Sequence, residues 1–160
     1  MMLLRRLALD LAIVLGAAGA AAPVLAADDV PFWASIRASK INMRVGPGEE
    51  YKISWVYSRP GLPLKVERVV DSWWLVSDPD GEKGWVLLRF LDKNRHTAIV
   101  VGKGLAEMRA QGSADARVRW KLEPGVSGKL GDCKDGWCAF TVDAQSGYVR
   151  QERLWGAGDP

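Results

Sequence analysis

The chain has 160 residues, 22 Lys and Arg against 19 Asp and Glu, and a formal charge of +3, with eight tryptophans but one histidine and two cysteines. So small a positive balance gives no concentrated basic face for a nucleic acid, and one histidine leaves Ser/His/Asp or multi-histidine chemistry little to draw on. The length suits one ordinary domain or two small ones.

Arg5 and Arg6 precede an apolar run over residues 11–22, and small residues follow at Ala26 and Ala27. This is the pattern of a secretory signal peptide over residues 1–27, cut after Ala26 or Ala27. The alternative is an uncleaved anchor, but the run is short for a membrane span of about 20 residues. No stable insertion is therefore expected after cleavage, and the expected location is periplasmic or otherwise exported. Without Arg5, Arg6 and Asp10 the remaining chain keeps 20 basic and 18 acidic side chains.

Beyond the leader the pattern is short and strand-like throughout. Residues 32–38 alternate well enough for an opening strand. Ile41–Asn42–Met43–Arg44 runs into Gly46–Pro47–Gly48, a turn that proline and glycine impose together. Residues 53–57 form a short aromatic strand that stops at Pro60–Gly61. Leu64–Lys65–Val66–Glu67 alternates apolar with charged, and Val69–Val70 carries it to the tight turn at Asp71–Ser72. Trp73–Trp74–Leu75–Val76 returns antiparallel, Asp78–Pro79–Asp80–Gly81 turns again, and Gly84–Trp85–Val86 leads the last main strand. Five short strands in about 60 residues, with no helical period, predict a small barrel or sandwich.

The same order then returns. Met108–Arg109 answers Met43–Arg44, Pro124–Gly125 answers Pro60–Gly61, and Asp135–Gly136–Trp137–Cys138 answers Asp71–Ser72–Trp73–Trp74. Gly147–Tyr148–Val149 answers Gly84–Trp85–Val86, and Leu154 answers Leu91. Turn and aromatic stay in step at each match, which marks a duplicated β-domain. The expected division is a leader at 1–27, a first domain at 28–92, a charged linker at 93–96, a second domain at 97–156 and a tail at 157–160.

Ile41–Asn42–Met43–Arg44–Val45–Gly46–Pro47–Gly48 with Tyr51, then Ser72–Trp73–Trp74–Leu75–Val76 and Gly84–Trp85–Val86, resemble the bacterial SH3-like (SH3b) family over about residues 33–92. The second copy, about 97–156, is more divergent, since Met108–Arg109–Ala110–Gln111 lacks the Gly-Pro turn. The resemblance implies an all-β protein of two tandem SH3-like barrels, a module used in cell-envelope binding and often attached to wall-processing enzymes. It also implies a ligand groove lined by Trp73, with Trp137 as the counterpart in the second copy.

Neighbouring residues on a strand point to opposite faces, so Trp73 and Trp74 divide between surface and core. Tyr51, Trp55 and Tyr57 complete an aromatic groove suited to an extended peptide or to sugar rings, with Arg44 nearby. The competing reading is that most rings fill two small cores, which need large side chains to bury enough area. That reading is preferred for Trp85 and Tyr148, at a core or between the repeats. Arg117–Val118–Arg119–Trp120–Lys121 reads as a strand with a charged outer face.

Asp135–Gly136 is a favoured two-residue hairpin turn. It makes Lys134 and Trp137 the closing pair and Cys133 and Cys138 the next, non-hydrogen-bonded pair, with Cα atoms about 4.5 Å apart. In an oxidising compartment this predicts a Cys133–Cys138 disulfide. No metal, cofactor or catalytic residue is expected: His96 falls in the linker, no Gly-x-Ser-x-Gly elbow is present, and two barrels of this size offer no deep cleft for paired carboxylates. The sequence is therefore read as an exported, non-enzymatic binding module. Its partner would be peptidoglycan or an envelope peptide or protein; the alternative is a structural adaptor with no small ligand.

Overall fold

The computed structural model describes residues 29–160, and the leader expected at 1–27 lies outside the described residues. The first unit contains β1 (Phe32–Ile36), β2 (Ile41–Arg44), β3 (Ile53–Tyr57), β4 (Pro63–Val70), β5 (Trp73–Ser77), β6 (Lys83–Leu87), a 3-10 turn at Leu88–Phe90 and β7 (Leu91–Asp92). The second contains β8 (Thr97–Val100), β9 (Ala106–Arg109), β10 (Val118–Leu122), β11 (Ser127–Lys134), β12 (Trp137–Val142), β13 (Gln145–Arg150), a 3-10 turn at Gln151–Arg153 and β14 (Leu154–Trp155).

Each unit is one antiparallel sheet, ordered β3-β2-β6-β5-β4-β1-β7 and β10-β9-β13-β12-β11-β8-β14. The orders are identical position for position, so the sequence repeat is a repeat of topology. Where the sequence suggested five strands per unit, the structure has seven. The opening strand expected at 32–38 is β1, and a two-residue strand after each 3-10 turn pairs with the unit's first strand, with Leu91 opposite Ile36 and Leu154 opposite Val100.

Alternation along the strands builds both cores. Ile36, Ile41, Met43, Leu64, Val66, Trp74, Val76 and Val86 meet inside the first barrel. Val100, Met108, Cys138, Phe140, Val149 and Leu154 do so in the second. The glycine that leads each Gly-aromatic-Val strand has a steric reason. A Cβ on Gly84 would lie 2.5 Å from Met43 Cγ and 2.8 Å from the Arg44 carbonyl oxygen. On Gly147 it would meet Met108 Cγ at 2.5 Å and the Arg109 carbonyl oxygen at 2.6 Å. These glycines let β6 and β13 press against β2 and β9.

The barrels dock through a seam. Trp33 and Trp155 meet edge to face with ring centroids 5.1 Å apart. Trp33 Nε1 donates to the Gly158 carbonyl at 2.8 Å, and Trp155 Nε1 to the Pro63 carbonyl at 3.2 Å. Ile99 of the second sheet is buried in the first barrel's core. Ser35 bonds the Arg95 carbonyl and the Thr97 hydroxyl, and Arg59 donates to the Gly125 carbonyl at 2.7 Å.

Candidate functional site

Trp74, Val76 and Val86 point into the first barrel, so their neighbours Trp73, Leu75, Trp85 and Leu87 point outward. Cross-strand pairing assembles these outward residues into a patch: Val70 lies opposite Trp73 and Trp73 opposite Leu87, while Arg68, Leu75, Trp85 and Arg44 form the adjacent row. Trp73, Leu75, Trp85 and Leu87 are half-buried and Val70 is exposed. The result is an aromatic sheet face with an arginine at each end of one row. Lys83, then desolvation in opposition, then Ser77 set the Glu67 carboxyl below its usual range at one margin.

The same positions in the second barrel are occupied differently. Lys134 stands where the first has Val70, and Arg150 where it has Leu87, flanking Trp137 on both sides. The Arg150 guanidinium lies 4.3 Å from the Trp137 ring centroid and Arg109 lies 6.0 Å from it. Trp137 is 6% exposed, yet it lies outside the barrel's buried cluster. It is capped by its own arginines, which corrects the expectation of an exposed counterpart to Trp73.

The remaining candidate residues are dispersed. Tyr51 is 42% exposed, its ring lying over Gly46, where a Cβ would come within 2.4 Å of it. Arg44 donates from Nη1 to the Tyr51 carbonyl at 2.6 Å, so its guanidinium tethers the loop and is not a free ligand contact. Arg109 does the same in the second barrel, bonding the Ala114 and Ala116 carbonyls and Glu107. Trp55 is 52% exposed, but on the edge strand β3.

Tyr57 does not join an aromatic groove with Trp73: it is 6% exposed and donates its hydroxyl to Asp78 Oδ2 at 2.8 Å. Burial first, then the hydrogen bond to Asp78 and its charge, push the phenol far above its ordinary range. Trp85 and Tyr148 lie on the outer faces, half-buried and 37% exposed, and not in a core or between the repeats.

Sequence reasoning missed Trp120. It is 45% exposed on β10, which ends the second sheet as β3 ends the first, and it pairs with Met108 as Trp55 pairs with Met43. The basic residues around it suggested only a solvated face, although the repeat offset placed it opposite Trp55.

The expected disulfide is present, with Cys133 and Cys138 cross-strand partners and Cα atoms 4.0 Å apart. Asp135 and Gly136 take φ of 52° and 77°, the left-handed pair that a type I′ turn requires. Among the described residues, no group of three or more His, Cys, Asp or Glu side chains is placed to hold a metal ion.

Comparison with known proteins places these features in a family. YrvJ of Bacillus subtilis (strain 168), named for an N-acetylmuramoyl-L-alanine amidase activity, is 24% identical over 130 residues, or 71% of this chain and 25% of that protein. NlpC1 of Trichomonas vaginalis aligns over 78% of this chain and 45% of its own, at 10% identity and a TM-score of 0.37. An NlpC/P60 family protein of Bacillus cereus ATCC 10987 aligns over 77% and 55%, at 13% identity and a TM-score of 0.35. The chain thus spans a quarter of the curated relative and about half of these solved chains. The bacterial SH3 domain profile matches residues 37–93 and again 102–156, so the chain belongs to the bacterial SH3 domain family and carries the domain twice.

Proposed function

We propose that this is an exported, non-enzymatic binding module that recognises a cell-envelope ligand, peptidoglycan or an extended peptide, through the outer face of its first barrel. The observation that carries the reading is the contrast between equivalent faces. Trp73 is flanked by Val70 and Leu87, whereas Trp137 is flanked by Lys134 and Arg150 and covered. An open sheet face with two tryptophans can stack against sugar rings or apolar side chains, and the exposed Arg68 at its margin suits a carboxylate. The likeness to a protein named for an activity on N-acetylmuramoyl-L-alanine, a unit of peptidoglycan, supports the wall as the source of the ligand. Export rests on the leader pattern at 1–27.

Pelleting with purified sacculi at low salt tests both parts. The wild-type protein is expected in the pellet, and Trp73→Ala is expected to weaken binding about five- to tenfold, as for a ring at the centre of a contact. A protein that stays in the supernatant removes peptidoglycan as the ligand. Undiminished pelleting of Trp73→Ala removes this face as the site.

The alternative, a structural adaptor with no small ligand, is favoured by the Trp33–Trp155 seam, because it predicts tryptophans between the repeats. It expects intrinsic fluorescence and its acrylamide quenching to be unchanged by sacculi or peptides.

A further inference from the structure

A groove of about 680 Å³ runs between the barrels at a place separate from the Trp73 face. Five consecutive residues, 55–59, form one wall, and residues 99–102 with Pro124 and Gly125 form the other. A groove lined by consecutive residues follows the edge of a strand and not one of its faces. Residues 55–57 of that wall belong to β3, whose sheet neighbour is β2 and whose other side ends the sheet, and Ser58 and Arg59 continue the chain beyond it. Such an edge offers backbone donors and acceptors to any extended chain laid beside it.

The side chains around this edge select among peptides. Trp55 is half exposed at the wall, and Asp78, Asp80 and Glu82 line the adjoining end. Asp80 and Glu82 are exposed on the turn whose Asp78 holds the Tyr57 hydroxyl. Asp78 is occupied by Tyr57 and by the backbone N–H groups of Asp80 and Glu82. The lining cation, Arg59, is held against the Gly125 carbonyl across the seam. One cation against three carboxylates leaves the groove negative, and the indole face of Trp55 attracts a cation in its own right.

We propose that this groove docks an extended peptide bearing a primary ammonium group. The peptide backbone adds to the β3 edge, and its ammonium sits between Trp55 and the carboxylates of Asp80 and Glu82. The volume holds a short peptide and not a folded partner. The second barrel does not repeat the arrangement: Arg117, Arg119 and Trp120 line a separate depression along β10, whose charge is opposite.

The test uses the full-length protein, isotopically labelled, titrated with the blocked pentapeptide Ala-Ala-Lys-Ala-Ala and with its Nε-acetyl-lysine twin. The lysine peptide is expected to shift the amides of residues 55–59 and the Trp55 indole N–H. Acetylation removes the charge and keeps the length, and it is expected to weaken binding about tenfold. Asp80→Asn combined with Glu82→Gln should weaken the lysine peptide to a similar degree. Both positions contribute backbone N–H groups to the Asp78 turn, so the variant retains those bonds. Equal affinity of the two peptides, shifts confined to β5 and β6, or no shift at about 10 mM peptide would each overturn the proposal. Sacculus binding lost while the lysine peptide still shifts residues 55–59 removes the wall reading and leaves the groove. Sacculus binding retained with no groove response does the reverse.

Discussion

Tyr57 donates to a carboxylate that is itself 4% exposed, and the pair ties β3 to the turn that follows β5. Asp78 also accepts the Asp80 and Glu82 amides at 3.0 and 2.9 Å, so one side chain organises the whole turn. Replacing Tyr57 by Phe removes one of its three partners and should destabilise the fold by about 1–2 kcal/mol, measured by urea unfolding. The phenol's pKa is raised in the folded state, so its contribution is complete below the unfolded value of about 10 and declines as pH rises beyond it. Stability should therefore fall above pH 10 with a slope approaching 1.4 kcal/mol per pH unit from this group. The same slope should be absent from Tyr57→Phe; a slope shared by both proteins would assign the decline to other groups. The sequence separated Trp73 from Trp74 because adjacent strand residues must part. It could not reveal that Tyr57 has a partner 21 positions away, nor that Arg150 would cap Trp137, since both depend on pairing between strands.

The β11–β12 hairpin shows what a strand pair can be asked to do. Its Asp135–Gly136 turn fixes the register, and the register sets Cys133 opposite Cys138, where β4 and β5 set Val69 opposite Trp74. Reduction, or Cys133→Ser with Cys138→Ser, should lower stability by about 2 kcal/mol on the chain-entropy estimate for so short a loop. Loss of the S–S bond with no change in the unfolding midpoint would show that the hairpin holds its register unaided. This element was legible because its turn residues dictate local geometry. The two-residue strands β7 and β14 were not, because nothing within Leu91–Asp92 or Leu154–Trp155 marks a strand until β1 and β8 lie beside them. The same limit applied to Trp120, whose meaning comes from the edge position of β10 in its sheet and not from its neighbours along the chain.

At the scale of the molecule, the seam joins two barrels that each have a core of their own. Indole hydrogen bonds, an aromatic pair and a shared Ile99 make it a packed junction and not a flexible tether. Relaxation measurements should therefore give both barrels one rotational correlation time. Trp155→Ala, which removes the ring contact and the Pro63 hydrogen bond, should separate the two values and cost roughly 2–3 kcal/mol. Unequal correlation times in the wild type would refute the junction. The repeat was plain in the sequence; the seam was not, because Trp33 and Gly158 lie 125 positions apart.

That long-range bond has a topological consequence. It brings the first strand of the described chain against the residues just after its last strand, so the path through the two barrels nearly closes into a ring. A ring has no first repeat. Joining the described ends with a short linker and reopening the chain at an exposed turn should preserve the native contacts in a circular permutant, with the order of the barrels along the polypeptide exchanged.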